Sequence, residues 1–336
     1  MTGSERLAVQ RIEEAVRLID PVFLGSPQYE CEPLSDALGV RLVLKVETCN
    51  PIRSFKGRGA DLFLARDADD APLVCASAGN FGQAMAYACR SRALRLTVFA
   101  AESANPLKLA RMRELGADVR LGGSDFDAAK SGARRYADER GLRFVEDGRE
   151  PAISEGAGTI ALELLAAEPG LDVVFVPLGN GALAAGIATV LRARHPSVRV
   201  VAVAARGAPA MVDSLRVGHV METPRVETMA DGIAVRVPVP EALLDLAGQL
   251  DDTRLVDDAD LVRAMRLVHR HAGIVVEPAG VAGVAALLAD AHEWRGARVA
   301  TVLCGGNLTP EQVSAWILPG PVAEREAGPA DWPHGA

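Results

Sequence analysis

Aromatic side chains are scarce, at 4% of the 336 residues, so the core must be built from Ala, Val, Leu and Gly, as in closely packed α/β proteins. Cysteine is sparser still, with five residues. Cys31, Cys49, Cys75, Cys89 and Cys304 form no CxxC pair and no metal-like spacing, which favours reduced thiols over a disulfide framework. Nor do the histidines supply a metal cluster: His269 and His271 stand two apart and face different sides of a helix. Basic residues are outnumbered, 36 Lys and Arg against 44 Asp and Glu, for a net charge of −8. That acidity argues against nucleic acid or an anionic membrane surface as the main partner, although backbone amides can still hold a small anion. No apolar run approaches the charge-free stretch of about 18 residues that a membrane span needs. Glu13 and Glu14 interrupt any leader-like pattern, and a cytoplasmic protein is expected.

What the chain does have is regular alternation. Strands are expected over Arg41–Val46, Pro72–Ala76, Leu94–Ala100, Asp118–Leu121, Leu142–Val145, Asp172–Pro177, Val198–Ala204 and Ala297–Leu303. Helices are expected over Gln83–Arg92, Pro106–Leu115, Phe126–Arg140, Gly158–Ala167, Ala182–Arg194, Ala259–His271 and Val281–His292. Unbroken apolar runs such as Val173-Val174-Phe175-Val176 mark strands covered on both faces. The fold class is α/β with parallel sheets, and ligands then sit at the carboxyl ends of strands. Polar breaks at Asp67–Ala71 and Glu146–Pro151 permit an inserted domain, and Pro319–Ala336 reads as a loose tail.

Three strand–loop–helix junctions carry candidate chemistry. In Ser54-Phe55-Lys56-Gly57-Arg58-Gly59-Ala60 a lysine stands between an aromatic and a glycine at the start of a helix. That setting desolvates an ammonium, and desolvation frees a nucleophilic amine able to form a Schiff base with an aldehyde such as pyridoxal phosphate. Ala76-Ser77-Ala78-Gly79-Asn80-Phe81-Gly82-Gln83 follows; its Ser77 and Asn80 suit either a ligand or a plain helix cap. Val176-Pro177-Leu178-Gly179-Asn180-Gly181-Ala182-Leu183 reads as a phosphate cradle at a helix N-terminus or as an ordinary flexible turn. Cys304, ending an apolar strand before Gly305-Gly306-Asn307, is by itself a small buried hydrophobe. The turns around Asp231 and Glu277 have no specificity alone.

Taken together and in this order, these pieces resemble the threonine/serine ammonia-lyases (dehydratases) of the fold type II pyridoxal-phosphate enzymes, the family that includes serine racemase. The likeness runs from about Pro33 to Asn307 and includes Glu155-Gly156-Ala157-Gly158-Thr159 and Ala230-Asp231-Gly232-Ile233-Ala234-Val235. It implies two open parallel-sheet domains: a larger one over 1–66 and 152–320, a smaller one inserted over 67–151, and a tail over 321–336. Lys56 would carry the coenzyme, with Phe55 beside it. Asn80 would bond its 3′-oxygen, Gly179, Asn180, Gly181, Ala182 and Leu183 its phosphate, and Cys304 would face the pyridine nitrogen, with Glu277 also among the cofactor-binding residues. The amides of Ser77, Ala78, Gly79, Asn80 and Phe81 would receive the carboxylate of a small amino-acid substrate. A homodimer is implied as well.

A thiol opposite the pyridine nitrogen supplies little negative charge, so elimination is favoured over chemistry that needs a fully protonated ring. Lys56 would take the α-proton and the β-hydroxyl would leave, giving a 2-oxo acid and ammonia; β-replacement by an added nucleophile is the alternative. Departures from the family sharpen the expectation. Ala78 stands where racemases carry a serine, so racemisation is disfavoured. Ala204 or Ala205 occupies the place of a metal-binding glutamate, so no magnesium site is expected. Asn180 and Ala182 interrupt the usual four glycines, and Asn180 would need a permissive backbone. Phe81 replaces a frequent histidine, and Arg53 either favours a polar or anionic substrate side chain or lies on the outer surface.

Overall fold

The computed structural model describes residues 6–67 and 69–318; the expected tail from Pro319 onward lies outside the described residues. Among the described residues, ten strands form two sheets. The strands are β1 (Gln28–Glu30), β2 (Arg41–Val46), β3 (Leu73–Ala76), β4 (Leu96–Ala100), β5 (Asp118–Leu121), β6 (Arg143–Val145), β7 (Val173–Pro177), β8 (Arg199–Ala205), β9 (Asp252–Val256) and β10 (Arg298–Leu303). One sheet has the order β1-β2-β10-β7-β8-β9 and the other β5-β4-β3-β6. All pairings are parallel except β1 with β2, which is antiparallel. The fold is thus α/β with two parallel-sheet domains, qualified by one antiparallel edge strand. The chain leaves the larger sheet after β2, builds the whole smaller sheet between Leu73 and Val145, and returns with β7.

Helices cover the sheets, and all five residues of β7 are buried, as a doubly covered strand requires. Asn105 caps the helix Pro106–Glu114 by accepting from the Leu107 and Lys108 amides, with Pro106 at its first position. Asp125 caps Phe126–Arg140 through the Ala128 amide. The lysine helix, Lys56–Arg66, packs against Pro151–Ala167, which in turn packs against Ala182–Arg194. The glycines of the 155–159 stretch make this closeness possible. A Cβ on Gly156 would lie 2.6 Å from the Arg58 carbonyl oxygen, and one on Gly186 would lie 2.1 Å from that of Ser154. Helix Pro151–Ala167 begins seven residues earlier than the expected Gly158, and helix Asn80–Ser91 begins at Asn80 itself.

Candidate active site

The carboxyl ends of the strands open onto one cavity of about 250 Å³, lined by residues from both sheets. Lys56, Phe55, Ser77, Ala78, Gly79, Asn80, Phe81, Asn180, Glu277 and Cys304 all reach it. A small adjoining recess of about 30 Å³ is lined by Gly179, Asn180, Gly181, Ala182 and Leu183, and it shares Phe55, Lys56 and Cys304 with the larger space. The candidates from five separate stretches of sequence therefore meet in one place.

Lys56 opens its helix directly after the buried Ser54 and Phe55. The Phe55 amide donates to the Cys304 carbonyl at 3.1 Å and the Ser54 hydroxyl to the same oxygen at 3.2 Å, which ties the lysine turn to the end of β10. Lys56 Nζ lies 2.6 Å from Asp147 Oδ2 and 4.6 Å from the Phe55 ring centroid. Asp147 was not anticipated from sequence; it sits in the turn after β6, within a stretch read only as a polar break.

The Ser77–Phe81 loop is partly committed to itself. Ser77 Oγ accepts from the Gly79 amide at 3.1 Å and the Gly82 amide at 2.9 Å, while the Ser77 amide donates to Phe99. The amides of Ser77 and Gly79 are thus engaged within the protein, while those of Ala78, Asn80 and Phe81 have no such partner. Lys108 stands behind the loop, its Nζ 3.7 Å from where a Gly79 Cβ would be. Asn80 is held at both ends of its amide. It donates to Glu277 Oε1 at 2.6 Å and accepts from Asn307 Nδ2 at 2.8 Å, so one of its two N–H groups remains for a ligand.

Glu277 is fully enclosed in this network. It also accepts from the Asn307 amide at 3.2 Å and lies 3.8 Å from Lys108 Nζ, which in turn is 2.5 Å from Asp231 Oδ2. Burial pushes the Glu277 carboxyl above its ordinary range, with Lys108 opposing. For Lys108, burial acts downward but the Glu277 and Asp231 carboxylates outweigh it and hold the ammonium above its ordinary value. Lys108, Asp231 and Asn307 were missed as site residues. The Asn105-Pro106 cap placed Lys108 in the first turn of a helix at the carboxyl end of a strand, and that was the available signal.

Cys304 is 5% exposed, and burial, reinforced by the nearby Glu277 charge, pushes its thiol well above the usual range, so it stays neutral. At the glycine turn, Gly181 takes the left-handed conformation with φ +93°, and no side chain caps the helix Ala182–Arg194 that follows. Asn180 is not among the left-handed residues, so the expectation that it needs a permissive backbone is corrected: the adjacent glycine absorbs the turn. A Cβ on Gly181 would lie 3.0 Å from Leu246 Cδ1, and one on Gly179 would lie 2.9 Å from the Gly232 carbonyl oxygen. A bare glycine surface at an uncapped helix N-terminus suits a phosphate, so the residues present fit a phosphorylated coenzyme. Arg53 does not line the cavity. It is exposed, with φ +51°, and its carbonyl accepts from the Gly306 amide at 3.0 Å, so the outer-surface alternative holds.

A family model described as "Pyridoxal-phosphate dependent enzyme" matches residues 19–305, and the chain belongs to that family. Its cofactor is pyridoxal phosphate. An L-threonine ammonia-lyase of Geobacter sulfurreducens is 35% identical over 292 residues, covering 86% of this chain and 73% of the relative. Among solved structures, the processed form of threonine deaminase isoform 2 from Solanum lycopersicum is 27% identical with a TM-score of 0.83, covering 91% of this chain and 92% of that one. Maize serine racemase is 25% identical with a TM-score of 0.86, covering 92% and 96%.

Proposed function

We propose that this protein removes ammonia from a small β-hydroxy amino acid, L-threonine or L-serine, by elimination across the Cα–Cβ bond, yielding a 2-oxo acid. The carrying observation is that a lysine, an uncapped glycine-lined helix end and a neutral thiol share one cavity beside a loop with free amides. The naming of the relatives as threonine ammonia-lyase and deaminase supports the choice of reaction. Bound pyridoxal phosphate supplies an electron-withdrawing ring that stabilises negative charge at Cα. Lys56 anchors the coenzyme and afterwards accepts the α-proton at Nζ. The Gly179–Leu183 turn would hold the phosphate, Asn80 would offer its spare N–H to the coenzyme's 3′-oxygen, and the neutral Cys304 thiol would supply little charge to the ring nitrogen. The free loop amides, with Lys108 behind them, receive the substrate carboxylate. Ala78 has no proton to offer at the opposite face, which disfavours racemisation.

The same reading divides the chain into a larger domain, 1–66 with 152–320, and a smaller one, 67–151. Confinement of the four-stranded sheet to residues 73–145 supports it. A homodimer and a cytoplasmic location belong to it as well, supported by exposed Val16, Leu18, Val22 and Tyr29 on the N-terminal segment and by five free cysteines. Among the described residues no helix is long and apolar enough to cross a membrane. Incubation with L-threonine or L-serine tests the function: wild type releases 2-oxobutanoate or pyruvate with ammonia, at a rate unchanged by added thiols. No release, or consumption of the added thiol, would refute it.

A further inference from the structure

Four carboxylates line the cavity: Asp127, Asp147, Asp231 and Glu277. Three of them have cations that no coenzyme removes. Asp231 and Glu277 face Lys108 at 2.5 and 3.8 Å, and Asp127 faces Arg236 at 2.9 Å and Lys130 at 3.4 Å. Asp147 differs. The cation it pairs with is Lys56, at 2.6 Å, and its other oxygen, Oδ1, is buried with no hydrogen-bond partner. Its place is fixed by the turn that follows. Gly148 has φ +86°, and a Cβ there would lie 2.6 Å from the Asn180 carbonyl oxygen, so Asp147 is pinned against the glycine turn. The neighbouring charges are spent elsewhere: Glu146 faces Lys130 and Arg134, and Arg149 faces Glu241.

Resting on the reading of Lys56 as the coenzyme's anchor, we infer that Asp147 is the docking group for the substrate's α-ammonium. When the Lys56 amine is taken up by the coenzyme, Asp147 becomes the one cavity carboxylate, among the described residues, stripped of its cation. A half-enclosed carboxylate without a partner is costly, and a phosphate bound at the adjoining turn adds to the local negative charge. The ligand that restores the balance carries an ammonium, and it must bring that ammonium to within a hydrogen bond of the position held by Lys56 Nζ. That position is where the amine of an incoming amino acid has to arrive. The carboxylate end of the same ligand meets the loop amides on the far side, so the two ends of an amino acid are read by opposite charges. Asp147 then alternates between two cations: the substrate ammonium on entry, which gives up one proton to solvent before its amine replaces that of Lys56, and the Lys56 ammonium formed when the released amine accepts the α-proton. The same carboxylate disfavours a second negative charge on the substrate near Cβ.

Calorimetric titration of the holoenzyme with two ligands of nearly equal shape tests this without turnover. L-Alanine carries the ammonium and has no β-hydroxyl to lose, whereas L-lactate has a hydroxyl in place of the ammonium. Asp147→Asn should weaken L-alanine at least tenfold and leave L-lactate within twofold, with Asp147→Glu recovering part of the loss. Unchanged L-alanine binding, or an equal loss for both ligands, would overturn the assignment. Because no product is measured, absence of 2-oxo acid release from the wild type would refute the proposed reaction and leave the docking result readable.

Discussion

Two cations in one short motif have opposite fates. Lys56 and Arg58 stand two residues apart on one helix, so they leave it on different sides. Arg58 is completely buried and saturated. It donates to both oxygens of Glu47 at 2.9 and 2.8 Å, to both oxygens of Glu163 at 2.6 and 2.9 Å, to Thr159 at 2.9 Å and to Ser26 at 3.1 Å. Lys45 joins the cluster at 2.5 Å from Glu163. Lys56 has a single carboxylate and a cavity in front of it. Charge and burial alone do not separate a structural cation from a reactive one; the number of donors left free does.

Removing each cation should therefore break different things. Arg58→Ala leaves Glu47 and Glu163 enclosed without their main partner, at a cost of about 3–5 kcal/mol seen as a large fall in the denaturation midpoint. Lys56→Ala should abolish coenzyme attachment and turnover while moving that midpoint little. If the two variants lost stability equally, the contrast would fail.

Acid sharpens the same contrast. Burial opposes ionisation of Glu163, but Arg58 and Lys45 outweigh it and hold the carboxyl down at about 2. An unfolded glutamate titrates near about 4.3. The Glu163 contribution is therefore complete above about pH 4.3 and is lost as pH falls toward 2. Unfolding measured over that window should show a steep acid limb in the wild type and a shallower one in Glu163→Gln. The smallest effect lies on the motif's outer side. Arg53→Gly relieves the left-handed backbone at φ +51° and should stabilise the fold by up to about 1 kcal/mol, while the threonine-to-serine activity ratio stays unchanged.

The parts legible in the sequence were those with long periods or paired motifs. Val173–Pro177 and Arg298–Leu303 are apolar throughout or nearly so, and Phe126–Arg140 has both its cap and its terminal glycine. β1 and β9 were missed because they are edge strands of three and five residues that need no continuous apolar run; Asp252-Thr253-Arg254 is half-buried at most. Helices Val9–Ala15, Glu32–Leu38, Ala210–Val217 and Pro240–Leu246, of seven or eight residues each, are too short for a 3.6-residue period to stand out. In the site, Lys56, Asn80 and the glycine turn stood out because each lies at a strand–helix junction. Asp147, Lys108 and Asn307 did not, because their meaning depends on partners up to some 230 residues away, such as Asn307 with Asn80. The motif's own arginine was equally silent: nothing local says that Arg58 turns from the cavity toward Glu47 and Glu163.

Two lysines, the half-buried Lys56 and the buried Lys108, face the same cavity, and the coenzyme is assigned to the first. Borohydride reduction of the holoenzyme, followed by proteolysis and mass spectrometry, reads that assignment directly. A phosphopyridoxyl group on the Lys56 peptide is the expected result; its presence on the Lys108 peptide, or on none, would contradict the account.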